Sequence, residues 1–212
     1  MTDNTQSEAF RIAARERAAD AFAMWIFLGS EAMLFGALLL VYLTARLEHA
    51  ETFSAASQHL SLPLGTFNTA VLITSSLTMA LAHAYSRKSN WRPCVLAMTA
   101  TACLGTAFLA IKGYEYYSEF REGLAPVLGL AFRYEGPEPV HAEYFFNLYF
   151  TMTSLHAAHL LGGLVAMLWI LGMWRRTGDA GRGRRILAMG LYWHFVDIVW
   201  VFLFPILYLI DR

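Results

Sequence analysis

The sequence predicts an all-α membrane protein, a bundle of five transmembrane helices with no soluble domain. Of its 212 residues, 57% are hydrophobic and 15% charged, whereas soluble domains average about 25% charge. The apolar excess falls into five stretches of about 20 residues or more, each able to cross a hydrocarbon core about 30 Å thick. Charge then orients the bundle. The N-terminus and the links after the second and fourth spans hold eleven Lys or Arg residues, against four in the other links and the C-terminus. By the positive-inside rule the N-terminus is expected in the cytoplasm and the C-terminus outside. Net charge is zero, so nothing points to a nucleic-acid partner.

Residues 1–20 are polar and contain acids, unlike a cleavable signal or an acid-poor transit peptide. They read as a short cytoplasmic segment, and residues 21–212 as the membrane domain. The first span is expected from about residue 21 to 45 and to be retained in the mature chain. A polar link with Glu48, His49, Glu51 and His59 follows. The second span should run from about 63 to 85, with Pro63 suited to a first helical turn. A short basic link (Arg87, Lys88, Arg92) leads to a third span over about 93–117. Cys94 and Cys103 lie in it without a CxxC motif and read as packed, reduced thiols. An acidic loop with Glu119, Glu122, Glu135 and Glu138 reaches to about His141. The fourth span covers about 142–174, and the fifth about 186–210. The Arg-rich link between them, ending in RGRR, reads as a topology signal.

The chemistry sits in polar residues inside these spans. The closing run GLYWHFVDIVWVFLFPILY places His194 and Asp197 three residues apart on one helical face. Ionisable residues at such depth mark function or specific packing. Glu31 falls near mid-membrane in the first span, and His156 and His159 of SLHAAHLLGG bring the fourth to the depth of His194. Lys112 and Glu115 are expected near the outer surface of the third span, one turn apart and able to pair. Four uses remain open for the deeper set: a metal or haem site from His156, His159, His194 and Asp197; a proton relay through Glu31; hydrogen bonds that fix helix packing; contacts to lipid headgroups. Ala158 and Gly162, with Gly163 beside them, permit a close helix crossing. Tyr114, Tyr116, Tyr117 and Trp174 read as interfacial anchors. No span carries the spaced histidines needed for two haems and a copper, and no outside segment offers the Cys, His and Met ligands of an electron-entry copper.

Taken together, these segments resemble subunit III of the haem-copper oxidases over nearly all of the chain. YWHFVDIVW (192–200) is similar to the closing-helix signature of that family. SLHAAHLLGG (154–163) resembles its paired-histidine helix, with Ser154 where glycine is usual. FLGSEAMLFG (27–36) resembles the helix that bears a buried glutamate, here Glu31. KGYEYYSEF (112–120) resembles the segment with Glu115 and Tyr116, with Lys112 where many members have glutamine. PLGTFNTAVLITSS (63–76) resembles the proline-to-asparagine opening of the next helix, with Asn68. Mitochondrial-type members have seven helices; this chain resembles the five-helix bacterial form, without the pair that completes a phospholipid-filled cleft.

The resemblance implies a subunit of an aerobic terminal oxidase, fed by cytochrome c or quinol, in the bacterial inner membrane. Such a subunit binds no redox centre, packs on catalytic subunit I beside subunit II and a small subunit IV, and supports assembly, proton uptake and turnover stability. Haem and copper are expected in the partner subunits, and phospholipid is the ligand implied for this chain. Glu31, His156, His159, His194 and Asp197 are expected to form a buried network holding the first, fourth and fifth spans in register. An accessory protein of nitric oxide reductase is the alternative within the family, and an autonomous haem- or metal-binding enzyme the alternative outside it.

Overall fold

The computed structural model describes residues 2–126, 132–176 and 178–209, and most of their side chains. Six α-helices follow in order: α1 (Thr2–Glu48), α2 (Ala50–Ser57), α3 (Leu62–Arg87), α4 (Trp91–Arg121), α5 (Pro139–Gly172) and α6 (Asp179–Phe204). A 3-10 turn (Trp174–Arg176) precedes α6, and a π turn (Pro205–Leu209) continues it. Five segments are long and apolar enough to span a membrane: Ala18–Glu48, Leu62–Arg87, Trp91–Arg121, Pro139–Gly172 and Gly181–Leu209. The described residues contain no strand.

Three boundaries differ from the sequence expectation. Helix α1 begins at Thr2, with no break at residue 20. The expected polar link after the first span contains α2, which buries Thr52, Phe53, Ala56 and Ser57. Helices α4 and α5 have 31 and 34 residues. At 1.5 Å per residue they reach about 46 and 51 Å, well beyond the hydrocarbon thickness of about 30 Å. Hydropathy marks the part of a helix that sits in lipid, and α4 continues past its expected end to Arg121, whereas α5 has about the length expected of the fourth span. Glu119, expected in a loop, is therefore inside α4 and buried.

The chain divides into two compact units, residues 1–36 and 37–212. The first is helical from Thr2 onward, and the Ser30 hydroxyl donates to the Phe27 carbonyl at 2.7 Å. In the second, α3 and α4 pair along their length, with Thr78 and Thr101 hydroxyls 2.7 Å apart and Asn68 Nδ2 donating to the Phe108 carbonyl at 3.4 Å. Their connection is short because α3 ends in a Schellman turn. Ser89 takes the left-handed conformation (φ 51°), and the Asn90 N–H reaches back to the Tyr85 carbonyl at 3.0 Å. Helix α4 ends the same way at Gly123 (φ 75°), with Leu124 N–H bonded to the Glu119 carbonyl at 3.0 Å.

Helix α6 is the centre of the unit. Its Trp193 and Trp200 are fully buried, and their indole N–H groups donate to Ser75 Oγ (3.1 Å) and Thr69 Oγ1 (3.0 Å) of α3. Close approach of α5 to α6 depends on Gly163, where an added Cβ would lie 2.9 Å from Tyr192 Cε1 and 3.2 Å from Trp193 Cζ3. The Ala158–Gly162 pair singled out in the sequence is exposed instead. Of the two cysteines, Cys94 is buried as expected, whereas Cys103 is exposed; both are free thiols. The Arg182 guanidinium lies over the rings of Trp91 and Trp174 and donates to the Trp174 carbonyl. At least one arginine of the RGRR cluster thus also clamps the start of α6 to the preceding turn.

Candidate functional site

The densest polar cluster of the described chain lies between α4, α5 and the π turn after α6. Lys112, Glu115 and Glu119 recur along one stripe of α4 at helical spacing, and each is at most 4% exposed. A buried ammonium is stable only when its three donors are all used. Lys112 Nζ donates to Glu115 Oε2 (2.8 Å), Tyr149 OH (2.7 Å) and Tyr208 OH (2.7 Å). The two phenols pass the interaction on. Tyr208 donates to Glu115 Oε1 at 2.7 Å, and Tyr149 to Glu119 Oε1 at 2.8 Å.

Aromatic faces close the cage. Lys112 Nζ lies 4.7 to 5.5 Å from the ring centroids of Tyr149, Tyr116, Tyr208 and Trp200, within cation–π range. Tyr208 reaches the ammonium because Pro205, lacking an N–H, interrupts the α-helical ladder and a π turn follows. Glycine at 65 makes room, since a Cβ there would meet Phe204 and Tyr208 ring atoms at 2.9 and 3.0 Å. The result is a charge-assisted network that ties three segments together and leaves Glu119 Oε2 without a hydrogen-bond partner among the described residues.

The expected Lys112–Glu115 pair therefore exists, inside the protein rather than as a free surface pair. The remaining candidates are placed as follows. Glu31 is half-buried in the first unit. His156 is buried against Phe108 and Trp200, with no hydrogen-bond partner for either ring nitrogen among the described residues. Trp200 thus touches both the lysine cage and His156. His159 Nδ1 lies 2.8 Å from the Leu155 carbonyl of its own helix, and its carbonyl accepts from Tyr192 OH at 2.8 Å. His194 Nδ1 pairs with Ser76 Oγ of α3 at 2.8 Å. Asp197 is buried, with its carboxylate facing the Ser76 hydroxyl of α3 that also meets His194. Its nearest approach to His194 Nδ1 is 4.0 Å, beyond hydrogen-bond range. His194 of the closing helix thus bonds to α3, while Tyr192 of the same helix reaches the paired-histidine helix.

Glu119, Tyr149 and Tyr208 were missed as functional candidates from sequence. Lys112, Glu115 and Glu119 at i, i+3 and i+7 form one stripe, and extending the helix by one turn would have found the second glutamate. Nothing in the spacing of Tyr149 or Tyr208 marks them, because their partners come from another helix.

A second polar group lies where α1 passes into α2 and α5 begins. The His49 and His141 rings stack with centroids 3.7 Å apart and planes inclined by 20°. Glu138 Oε2 accepts from Thr52 Oγ1 (2.9 Å) and approaches His141 Nδ1 (3.1 Å). These contacts, the threonine hydroxyl first, hold the Glu138 carboxyl below the usual carboxylate range.

Five segments long and apolar enough to span a membrane define a multi-pass helical membrane protein. The family model for cytochrome c oxidase subunit III matches residues 16–211. Cytochrome c oxidase subunit 3 of Alkalihalophilus pseudofirmus is 32% identical over 186 residues, covering 87% of this chain and 84% of the relative. Probable quinol oxidase subunit 3 of Staphylococcus aureus is 30% identical, with 88% and 86% covered. Cytochrome bo(3) ubiquinol oxidase subunit 3 of Pseudomonas aeruginosa is 27% identical, with 89% and 83% covered. The chain belongs to the cytochrome c oxidase subunit III family. It is accordingly a multi-pass bacterial membrane protein and the third subunit of a respiratory terminal oxidase, working in a complex with other oxidase subunits.

Proposed function

We propose that this chain packs on catalytic subunit I of a haem-copper oxidase, beside subunit II and a small subunit IV. There it supports assembly, proton uptake and the stability of the active site during turnover. Electron transfer and oxygen reduction take place on haem and copper held by the partner subunits. Phospholipid is the one ligand assigned to this chain in that reading, with Glu31 as the candidate contact and the N-terminus in the cytoplasm. The observation that carries the proposal is the extent of the match: the family model covers residues 16–211. Relatives named for cytochrome c and for quinol oxidases match over similar lengths, so the role does not depend on the electron donor. Nothing in these matches favours the nitric oxide reductase alternative.

The test is to tag the chain, extract it in mild detergent, and identify its partners by mass spectrometry and a reduced-minus-oxidised spectrum. Oxygen uptake is then followed with and without this chain. Recovery of a haem-copper oxygen-reducing subunit, and earlier loss of activity without the chain, are the expected results. Recovery with a nitric oxide reductase, or identical turnover lifetimes, would refute the proposal.

A further inference from the structure

We propose that His49, Glu138 and His141 form a binding site for a single zinc-class divalent cation at the junction of α1, α2 and α5. One ligand atom from each residue already lies within 4.8 Å of the others. Tetrahedral ligand atoms at about 2.1 Å from one zinc ion lie about 3.4 Å apart, so closure by side-chain rotation brings them together by up to about 1.4 Å. The stacked imidazoles tilt about their side-chain bonds to turn a nitrogen each toward the ion.

The donor set selects the ion. Two imidazoles and one carboxylate suit zinc and its borderline neighbours, whereas calcium and magnesium require oxygen ligands. With three protein ligands, the fourth tetrahedral position goes to water. The geometry leaves that position open, because the side chains of Glu138 and His141 are 59% and 39% exposed.

The supporting residues are in place as well. Thr52 Oγ1 donates to Glu138 Oε2, which orients the carboxylate as outer groups do at metal sites. Glu138 itself takes the left-handed conformation (φ 46°), rarely adopted by non-glycine residues, and this turns its side chain toward both Thr52 and His141. Beneath the site, Tyr42, Phe53 and Phe145 pack with centroids 5.4 to 6.2 Å apart. The ligand-bearing segments thus rest on a rigid aromatic floor. A zinc ion there would clasp the end of α1 to the start of α5. Being redox-inert, it is compatible with a subunit that carries no electron-transfer centre.

The experiment uses the full chain in detergent, purified without a histidine tag and treated with chelator. Zn²⁺ is titrated calorimetrically, and the melting temperature is recorded with and without it. The parent should bind one Zn²⁺ per chain and melt higher in its presence. His49→Phe and His141→Phe keep an aromatic ring for the stack but remove the ligand nitrogen, and each should weaken binding by at least about tenfold. Glu138→Gln should do the same, while His59→Gln, an exposed histidine of the same link, should not. Circular dichroism checks that each variant retains its helices. A parent that binds no zinc, or phenylalanine variants that bind it as tightly as the parent, would overturn the proposal.

Discussion

Replacing Lys112 by Met tests the caged ion pair most directly. The substitution keeps the side chain's length and apolar stem but removes three donated hydrogen bonds and the charge facing Glu115 and Glu119. Lys112 and Glu115 side chains are only 2% and 3% exposed, so water cannot replace the ammonium. Removing one partner of such a buried pair costs about 3–5 kcal/mol, because the other is left uncompensated. For a chain of this size about 1 kcal/mol shifts melting by about 2–4 °C, so a fall of roughly 6–20 °C is expected. The assay is helix melting by circular dichroism in detergent. Lys112→Gln should be milder, since an amide keeps two donors for the phenols and Glu115. The double variant with Glu115→Met should recover at least half of the loss, since an apolar pair can replace a buried ionic one. Lys112→Met melting within about 2 °C of the parent would refute the reasoning.

Two further outcomes follow from the packing of α6. Gly163→Val should cost about 1–3 kcal/mol by driving a side chain into Tyr192 and Trp193. Gly162→Val, with nothing closer than 3.8 Å, should stay within about 0.5 kcal/mol; equal effects in melting would contradict the assigned crossing. Asp197→Asn should change stability by less than about 1 kcal/mol, because the amide oxygen can still accept from the Ser76 hydroxyl that faces it. A loss above about 2 kcal/mol in denaturant titration would show a partner that the geometry does not provide.

His194 and Asp197 show where spacing along a helix stops being informative. His194 and Asp197 share a helical face, but sharing a face does not set two side chains within bonding distance. Packing against α3 turned His194 toward Ser76 instead. The Lys112–Glu115 pair was legible, since i, i+3 spacing alone brings such groups together. Its burial was not, because hydropathy placed the helix end one turn too early and moved Glu119 into a loop. His49 and His141 had no common signal at all: they are 92 positions apart in the chain, and only the return of α5 to the α1–α2 junction stacks them.

The sequence by itself determined the class of protein, the number of spans and the family. Crossing a bilayer demands about 20 apolar residues in succession, a local property that no later folding event alters. Tertiary structure decided which polar residues serve as partners. That choice depends on helix rotation, on one glycine at a crossing and on a proline that reshapes the last turn. Each acts through contacts between segments far apart in the chain, and spacing along one helix does not encode them.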